Sequence, residues 1–175
     1  FNYIDFASYH GFNGLLVEGW NRGWYPQWCC SGDGIPFSFT ESLEDFDFKR
    51  ISLYSSKKNI SIIGHHETGG QIENYENQME DAFKLYNQMG VKYIKTGYVN
   101  DVSKNIKRTD EDGKTIREWH HGQYMINHFQ KVIEVASKYK LSIITHEPIK
   151  DTGLRRTFPN FISREGAKGQ EFNGF

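Results

Sequence analysis

Residues 60–68, ISIIGHHET, contain the pattern that decides the fold. The segment opens with a mostly apolar stretch and carries two imidazoles and a carboxylate near its end, at His65, His66 and Glu67. Continuous hydrophobicity over a short run is typical of a strand buried on both faces, as in a parallel sheet. The segment therefore predicts an inner parallel strand that carries polar groups at its carboxyl end.

Three other segments repeat this pattern, and helical patterns separate them. The strand-like segments are GLLVEGW (14–20), VKYIKTGYV (91–99) and LSIITHEP (141–148), and the helical patterns cover 2–11, 45–59, 73–90 and 121–140. Alternating helices and strands predict an α/β fold, either a doubly wound sheet or a (β/α)8 barrel. No G-x-G-x-x-G opens any of the helices, which disfavours a dinucleotide-binding fold.

Every predicted strand places charged or imidazole groups at its carboxyl end, and this favours the barrel. The residues are Glu18, His65, Glu67, Lys95, His146 and Glu147. Active sites of barrels lie at this face, where the strand ends converge, and a full barrel takes about 250 residues. Four strands in 175 residues predict a partial (β/α)8 barrel of about four βα units. We expect residues 1–175 to be the central part of a larger catalytic domain.

Composition excludes several classes of function. The net charge is −1 and no run of five or more Lys or Arg residues occurs, which argues against a nucleic-acid surface. No window of about 18 apolar residues is present, so no membrane span is predicted, and no signal peptide is visible. The adjacent Cys29 and Cys30 lack C-x-x-C spacing, which argues against a disulfide framework or a zinc site.

Aromatic residues form 15% of the chain, and its tryptophans lie at or beyond predicted strand ends, at Trp20, Trp24, Trp28 and Trp119. Sugar-binding sites often stack aromatic rings on pyranose faces. The alternative to sugar stacking, for each tryptophan, is that the ring packs in the hydrophobic core.

Carboxylates from three different strands are expected around one barrel mouth. These are Glu18, Glu67 and Glu147, and carboxylates at inner strand ends are costly unless they are paired, bound to a metal or in use. Two of them could act as general acid and base on a glycosidic bond. Several could also bind a hard cation such as calcium through oxygen.

Strand periodicity and composition give hypotheses for their neighbours. Period two places His65 on the face of Glu67, which leaves His66 for packing. Lys95 could separate the carboxylate charges, donate to a sugar hydroxyl or lie solvated at the rim. Gly97, on the same face, is expected to leave empty room at the mouth.

The segment after residue 148 is expected to be one long loop that carries two more carboxylates, Glu165 and Glu171. Arginine pairs with carboxylates in a bidentate fork. We therefore expect Arg155 or Arg156 to orient Glu165 or Glu171.

Five segments in order resemble glycoside hydrolase family 97: LLVEGWNRGW, GHHETGG, IKTGYV, HHGQYMINHF and HEPIKDTGLRRTFPNFISREGAKGQEF. The resemblance implies an N-terminal β-sandwich, a central barrel and a C-terminal β domain, of which this chain would supply only part of the barrel. It also implies a calcium-dependent, exo-acting α-glycosidase. The best-known members of the family are periplasmic α-glucosidases of starch-utilising bacteria, so an exported location is expected.

The same resemblance implies an inverting mechanism. The inverting branch carries a glutamate base at Glu67 and a glycine at Gly97, whereas the retaining branch carries an aspartate nucleophile at position 97. An inverting α-glucosidase that acts on malto-oligosaccharides is therefore expected. The alternatives are a retaining α-galactosidase of this family and a non-catalytic carbohydrate-binding barrel.

The resemblance also implies roles for individual residues. Glu171 would be the general acid, with Glu67 and Glu147 as candidates for the base. Calcium would be held by Glu147, Glu165 and Glu171, and the sugar would contact Glu18, His65, Lys95 and His146. A further calcium carboxylate would come from the absent sandwich, so the isolated fragment is expected to have little or no activity. Residues 100–119 look longer than the corresponding family loop and are expected to be a flap or hairpin at the mouth or a solvated insertion.

Overall fold

The structure, a computed structural model, describes residues 1–24, 36–99, 106–167 and 169–174. Within these residues, four helices and seven strands follow one another: α1 (Asn2–Tyr9), β1 (Gly14–Leu16), α2 (Phe48–Lys57), β2 (Ser61–Glu67), α3 (Ile72–Gln88), β3 (Tyr93–Gly97), β4 (Ile106–Thr109), β5 (Thr115–Glu118), α4 (Gln123–Lys138), β6 (Ser142–His146) and β7 (Phe161–Glu165). Short 3-10 helices cover Leu154–Arg156 and Gln170–Gly174.

Five of the strands form one parallel sheet in the order β1-β2-β3-β6-β7. Its register aligns His65 of β2 with Lys95 of β3, and His146 of β6 with Glu165 of β7. The carboxyl ends of all five strands therefore lie along one edge. The predicted parallel βα architecture of a partial barrel is confirmed.

The fifth strand corrects the prediction of four strands followed by one long loop. Residues 161–165, FISRE, form β7, which pairs with β6 across a register shift between Ile143 and Ile144. Most of β7 is exposed, so its sequence lacks the apolar run by which the inner strands were recognised. Because of this strand, Glu165 lies at a strand end, level with the other polar groups.

The core lies between the sheet and the helices. Ile62, Ile94 and Ile143 on the three inner strands are buried, and α3 contributes Tyr75, Met79, Ala82, Phe83 and Tyr86. His66 belongs to this side, because its ring stacks on Tyr86 at 4.7 Å and on Phe83 at 5.9 Å between centroids. The prediction that His66 packs rather than faces the mouth is confirmed.

Trp20 is also part of the core. It is 3% exposed, and its indole N–H donates to the main-chain carbonyl of His65 at 3.0 Å. Of the two predicted roles for the tryptophans, sugar stacking and core packing, Trp20 has the second. The predictions that concern Trp28, Cys29 and Cys30 lie outside the described residues.

The charged segment before α4 contains a β-hairpin, which is one of the structures expected for it from the sequence. β4 and β5 pair antiparallel, and Asp110 Oδ1 accepts from the amides of Asp112 and Lys114 in the turn. The hairpin is fixed to α3, where Glu73 Oε1 accepts from the Thr109 amide at 2.8 Å.

Among the described residues, no helix is long and apolar enough to cross a membrane.

Candidate active site

The predicted site residues of the five parallel strands come together at the carboxyl edge of the sheet. Contacts of 4 Å or less join groups from β1 to β7: Lys95 with Glu18 and Glu165, His65 with Glu18, and His146 with Glu147 and Glu165. The convergence predicted from the strand-end pattern is therefore observed for Glu18, His65, Lys95, His146 and Glu147, and Glu165, which was expected in a loop, joins them from the end of β7.

Lys95 lies at the centre of this group, between carboxylates from the two outer strands. Its Nζ is 3.1 Å from Glu18 Oε1 and 3.3 Å from Glu165 Oε2. Only 15% of the side chain is exposed, whereas the two carboxylates are 48% and 45% exposed. Burial by itself would lower the pKa of Lys95, but the hydrogen bond and charge of Glu18, together with Glu165, raise it. A charged lysine thus holds two half-exposed carboxylates in place.

His65 presents its ring to the same group from a rigid backbone. The Tyr86 hydroxyl accepts from the His65 amide at 3.0 Å and donates to its carbonyl at 3.1 Å. His65 Nε2 lies 3.9 Å from Glu18 Oε1. Burial lowers the pKa of His65 to about 4, despite the nearby Glu18 charge, so the imidazole is neutral at pH 7 and can both donate and accept hydrogen bonds.

Glu67 fills the space above Gly97, and this corrects the expectation of empty room there. A Cβ atom at Gly97 would lie 2.1 Å from Glu67 Oε2. The two residues are aligned in the register of β2 and β3, so the carboxylate of one strand lies over the backbone of the other. Glycine at position 97 is therefore required by the position of the Glu67 carboxylate.

The Glu67 carboxyl group is nearly buried but well satisfied. Its Oε1 accepts from the amides of Gly69 at 2.7 Å and Val99 at 3.0 Å. The pKa of Glu67 is raised to about 7, mainly by burial. The negative charge of Glu147 acts in the same direction, whereas the two amide hydrogen bonds act against it. A carboxyl group that titrates near neutral pH is suited to general acid–base catalysis.

Glu147 is held in an unusual backbone conformation. Its φ is +44°, one of three positive values found for non-glycine residues among the described positions, and such conformations are retained where the surrounding structure enforces them. His120 Nε2 lies 2.6 Å from the Glu147 carbonyl, and the Tyr98 amide donates to Glu147 Oε2 at 2.7 Å. The carboxylate and the main chain of Glu147 are thus both fixed.

His146 links the carboxylates of β6 and β7. Its Nδ1 is 3.0 Å from Glu147 Oε1 and its Nε2 is 3.4 Å from Glu165 Oε1. The hydrogen bond to Glu147 raises the pKa of His146, and the charges of both carboxylates act in the same direction. The imidazole thereby keeps two oxygen donors close together.

The donor chemistry of this corner fits a hard cation. Glu147 and Glu165 supply carboxylate oxygens from adjacent strands, and oxygen is the ligand that calcium takes. Within the described part of the chain, no group of three or more His, Cys, Asp or Glu side chains could hold a metal ion by itself. The backbone of Glu171 lies in the short helix Gln170–Gly174, but its side chain is outside the described residues.

Among the described side chains, Arg155 pairs with Asp151; the predicted arginine contact with Glu171 involves a side chain outside the described residues. The Arg155 guanidinium lies 2.7 Å from Asp151, four residues earlier, because the 3-10 turn at Leu154–Arg156 brings these two positions together. Asp151 also lies 3.8 Å from Arg164. These pairs brace the segment between β6 and β7.

Sequence reasoning missed two residues that organise the site, Tyr98 and His120. Tyr98 follows β3 and His120 precedes α4, and both are fully buried. Tyr98 acts on Glu147 through its main-chain amide and His120 through its imidazole, and no local pattern in the sequence indicates that either residue contacts Glu147. Only the fold brings these segments together.

Comparison with known proteins gives a consistent result. A model of the family described as glycoside hydrolase 97 matches residues 1–167. A curated relative from Bacteroides thetaiotaomicron, named retaining alpha-galactosidase, is 27% identical over 172 residues, which are 97% of this chain and 20% of the relative.

Solved structures of a glycoside hydrolase family 97 enzyme from Pseudoalteromonas sp. strain K8 are more similar. They include a glutamate-to-glutamine variant in complex with panose and a complex with acarbose, each 53% identical to this chain with a TM-score of 0.92. The alignment covers 99% of this chain and 26% of each of those chains, so the chain spans about a quarter of their length. With a family model that matches nearly all of its residues, the chain belongs to glycoside hydrolase family 97.

Proposed function

We propose that this chain carries part of the active site of an exo-acting α-glucosidase that hydrolyses malto-oligosaccharides with inversion. The observation that carries the proposal is the fit of Glu67 over Gly97, where any Cβ atom would meet Glu67 Oε2 at 2.1 Å. A carboxylate nucleophile at position 97 is incompatible with this arrangement. A buried glutamate with a pKa near 7 supplies a base instead.

In the proposed mechanism, one carboxylate activates water and another protonates the leaving oxygen. Glu67 and Glu147 are the candidates for the base, and Glu171 is the proposed acid. Inverting enzymes separate the acid and the base by about 6.5–9.5 Å to admit the water. Glu67 and Glu147 are both fixed by backbone amides, which limits their motion during water attack.

The proposed first sugar subsite consists of Glu18, His65, Lys95 and His146. Neutral His65 and charged Lys95 offer hydrogen bonds to hydroxyl groups, and Glu18 accepts them. The reported neighbours support a glucoside substrate by analogy, because their complexes contain panose and acarbose, and panose is built of α-linked glucose units.

Calcium is the proposed cofactor, with Glu147, Glu165 and Glu171 as its ligands in this chain. When bound, the cation would supply positive charge that favours ionised carboxylates beside it. Lys95 and His146 already hold Glu165 at this corner. We also propose that the remaining domains of a longer parent protein complete the site, that the protein is exported to the periplasm, and that residues 1–175 alone are inactive.

The proposal is tested on the complete protein with p-nitrophenyl α-glucoside and maltotriose, with and without a chelator. Proton NMR identifies the anomer released first. We expect β-glucose, loss of turnover on calcium removal, and a large loss of maltotriose hydrolysis in Glu171→Gln. Turnover that survives chelation would refute the metal role, and a loss of less than tenfold in Glu171→Gln would refute the acid.

A retaining α-galactosidase is the second candidate, because the curated relative carries that name. The same assay discriminates between the two with p-nitrophenyl α-galactoside as substrate. Release of α-galactose as the first product would favour this candidate over the glucosidase. Sugar binding by calorimetry without turnover on either substrate would instead indicate a carbohydrate-binding barrel.

A further inference from the structure

One backbone segment holds both candidate base carboxylates. The Tyr98 amide donates to Glu147 Oε2 at 2.7 Å, and the next amide, of Val99, donates to Glu67 Oε1 at 3.0 Å. Glu67 ends β2 and Glu147 follows β6, and these two strands flank β3. Consecutive amides therefore reach to opposite sides of β3, and their placement fixes the position of one carboxylate relative to the other.

The Tyr98 side chain ties this segment to the helical layer. Its hydroxyl lies 3.1 Å from His128 Nε2 on α4, and His128 Nδ1 lies 2.7 Å from Glu76 Oε1 on α3. Tyr98 and His128 are 0% and 1% exposed. Lys131 Nζ contacts Glu76 Oε2 at 2.5 Å where the chain of bonds reaches the surface.

The direction of each hydrogen bond in this chain follows from charge. Burial opposes ionisation of Glu76, but the bonds from His128 and Lys131 outweigh it and lower the pKa of Glu76 to about 2. The carboxylate must then accept from His128 Nδ1–H. Burial lowers the pKa of His128, so its Nε2 stays unprotonated and accepts from the Tyr98 hydroxyl. These directions give the chain one consistent arrangement, in which Tyr98 donates to His128 and His128 donates to Glu76.

A second contact restrains the same tyrosine. The Tyr98 ring packs on Phe129 at 4.6 Å and on the edge of His120 at 6.1 Å between centroids. His120 in turn lies 2.6 Å from the Glu147 carbonyl through Nε2. The side chain of Tyr98 thus restrains Glu147 indirectly, while its amide restrains the Glu147 carboxylate directly.

We propose that Tyr98 is a positioning residue for the reaction, and that the chain Tyr98–His128–Glu76 fixes the 98–99 amides that place Glu67 and Glu147. Tyr98 acts through the two carboxylates and does not contact substrate. This inference rests on the proposed role of those carboxylates as base candidates.

Tyr98→Phe in the complete protein tests it, because this change removes only the hydroxyl. We expect kcat to fall about 10- to 100-fold, as for loss of groups that orient reactive side chains, while KM changes by less than about threefold. Tyr75→Phe is the matched control. Tyr75 is also fully buried, and its hydroxyl bonds to His66 Nδ1 at 3.0 Å without contact to either amide. It should cost similar thermal stability and leave kcat within about threefold.

A coupling measurement separates positioning from general damage. Of Glu67→Gln and Glu147→Gln, the variant that loses more kcat is taken as the background. In it, Tyr98→Phe should lower kcat by less than about threefold, since residues that act as a unit are not additive. Equal losses of kcat in Tyr98→Phe and Tyr75→Phe would overturn the inference, as would full additivity in that background.

A milder variant decides the matter if Tyr98→Phe does not fold. Glu76→Ala removes the acceptor at the surface end and is compared with Glu80→Ala, whose side chain is 56% exposed. Folded Glu76→Ala with unchanged kcat would refute the inference. The kcat of each variant is compared with that of the wild type on whichever α-glycoside the wild-type protein hydrolyses. A wild-type protein that does not hydrolyse α-glucosides refutes the glucosidase proposal. The inference about Tyr98 is judged only from the variants.

Discussion

At the scale of single residues, Gly97 is a position that leaves no room for a side chain, because the Glu67 carboxylate lies over it. We predict that Gly97→Ala displaces the Glu67 carboxylate, because the new Cβ would lie 2.1 Å from Oε2. Misplacement of a reacting group by about 1 Å can cost roughly 100-fold in rate, so kcat should fall by about that factor. Steady-state kinetics of the complete protein measure it.

Two further variants check the cause. Gly14→Ala is a control on β1, where the new Cβ would meet Ile63 Cδ1 at 3.2 Å and the Ser61 carbonyl oxygen at 3.3 Å but no carboxylate, and it should keep normal kinetics. Adding Glu67→Ala to Gly97→Ala should restore thermal stability without restoring turnover. A stable, fully active Gly97→Ala protein would show that the carboxylate tolerates displacement.

Lys95 gives a second prediction at this scale. Lys95→Met leaves Glu18 and Glu165 without the cation between them. Removing one partner of a partly buried charge pair is costly, because the other charge stays partly buried without a counter-charge. We expect kcat/KM to fall about tenfold or more. Lys92→Met, a change just before the amino end of β3, should leave kcat/KM unchanged. Equal kinetics in the two variants would argue that Lys95 is only a solvated rim residue.

At the scale of elements, the contact between α3 and α4 has a pH-dependent component. The lowered pKa of Glu76, about 2 against 4.5, means that its contribution to stability is complete above pH 4.5 and is lost as pH falls toward 2. Glu76→Gln should cost about 1–2 kcal/mol at pH 7, a range that allows for partial solvent exposure. The difference from wild type should shrink below pH 4.

Thermal unfolding of the complete protein between pH 7 and pH 3 measures this. Glu80→Gln is the control, because its carboxylate pairs with Lys138 at the surface and exposed pairs contribute little. A pH-independent difference between Glu76→Gln and wild type would contradict the proposed ion pair.

The elements also show what sequence pattern can and cannot predict. The apolar runs that end in Glu18, Glu67, Lys95 and Glu147 predict β1, β2, β3 and β6 and the edge at which the site lies. β7 has no such run because most of its residues are exposed. Contacts such as Tyr98–His128 and His120–Glu147 join segments 27 to 30 residues apart, and side-chain pairing over such distances is set by packing that no local pattern encodes.

At the scale of the whole molecule, the chain presents surfaces that a closed domain would cover. β1 and β7 each pair on one side only within the described sheet. Large apolar side chains on and around α1 are exposed: Phe1, Tyr3, Phe6, Tyr9 and Phe12. Contiguous exposed apolar surface of this kind marks an interaction site or an aggregation liability. It agrees with a chain that spans about a quarter of its solved relatives.

We therefore predict that a polypeptide of residues 1–175 binds the dye ANS strongly, self-associates and shows no turnover, while the complete protein binds little dye. Fluorescence titration and light scattering at matched concentration measure this. A monodisperse, dye-silent polypeptide of residues 1–175 would contradict the prediction.

The close fit of Glu67 over Gly97 also constrains how such a site can evolve. By the family resemblance, a change to the retaining mechanism introduces an aspartate at position 97. That substitution alone would collide with the Glu67 carboxylate, and loss of Glu67 alone would remove a proposed base without supplying a nucleophile. Each substitution alone would lower fitness, whereas both together would not. Positions 67 and 97 are therefore expected to change jointly along a lineage.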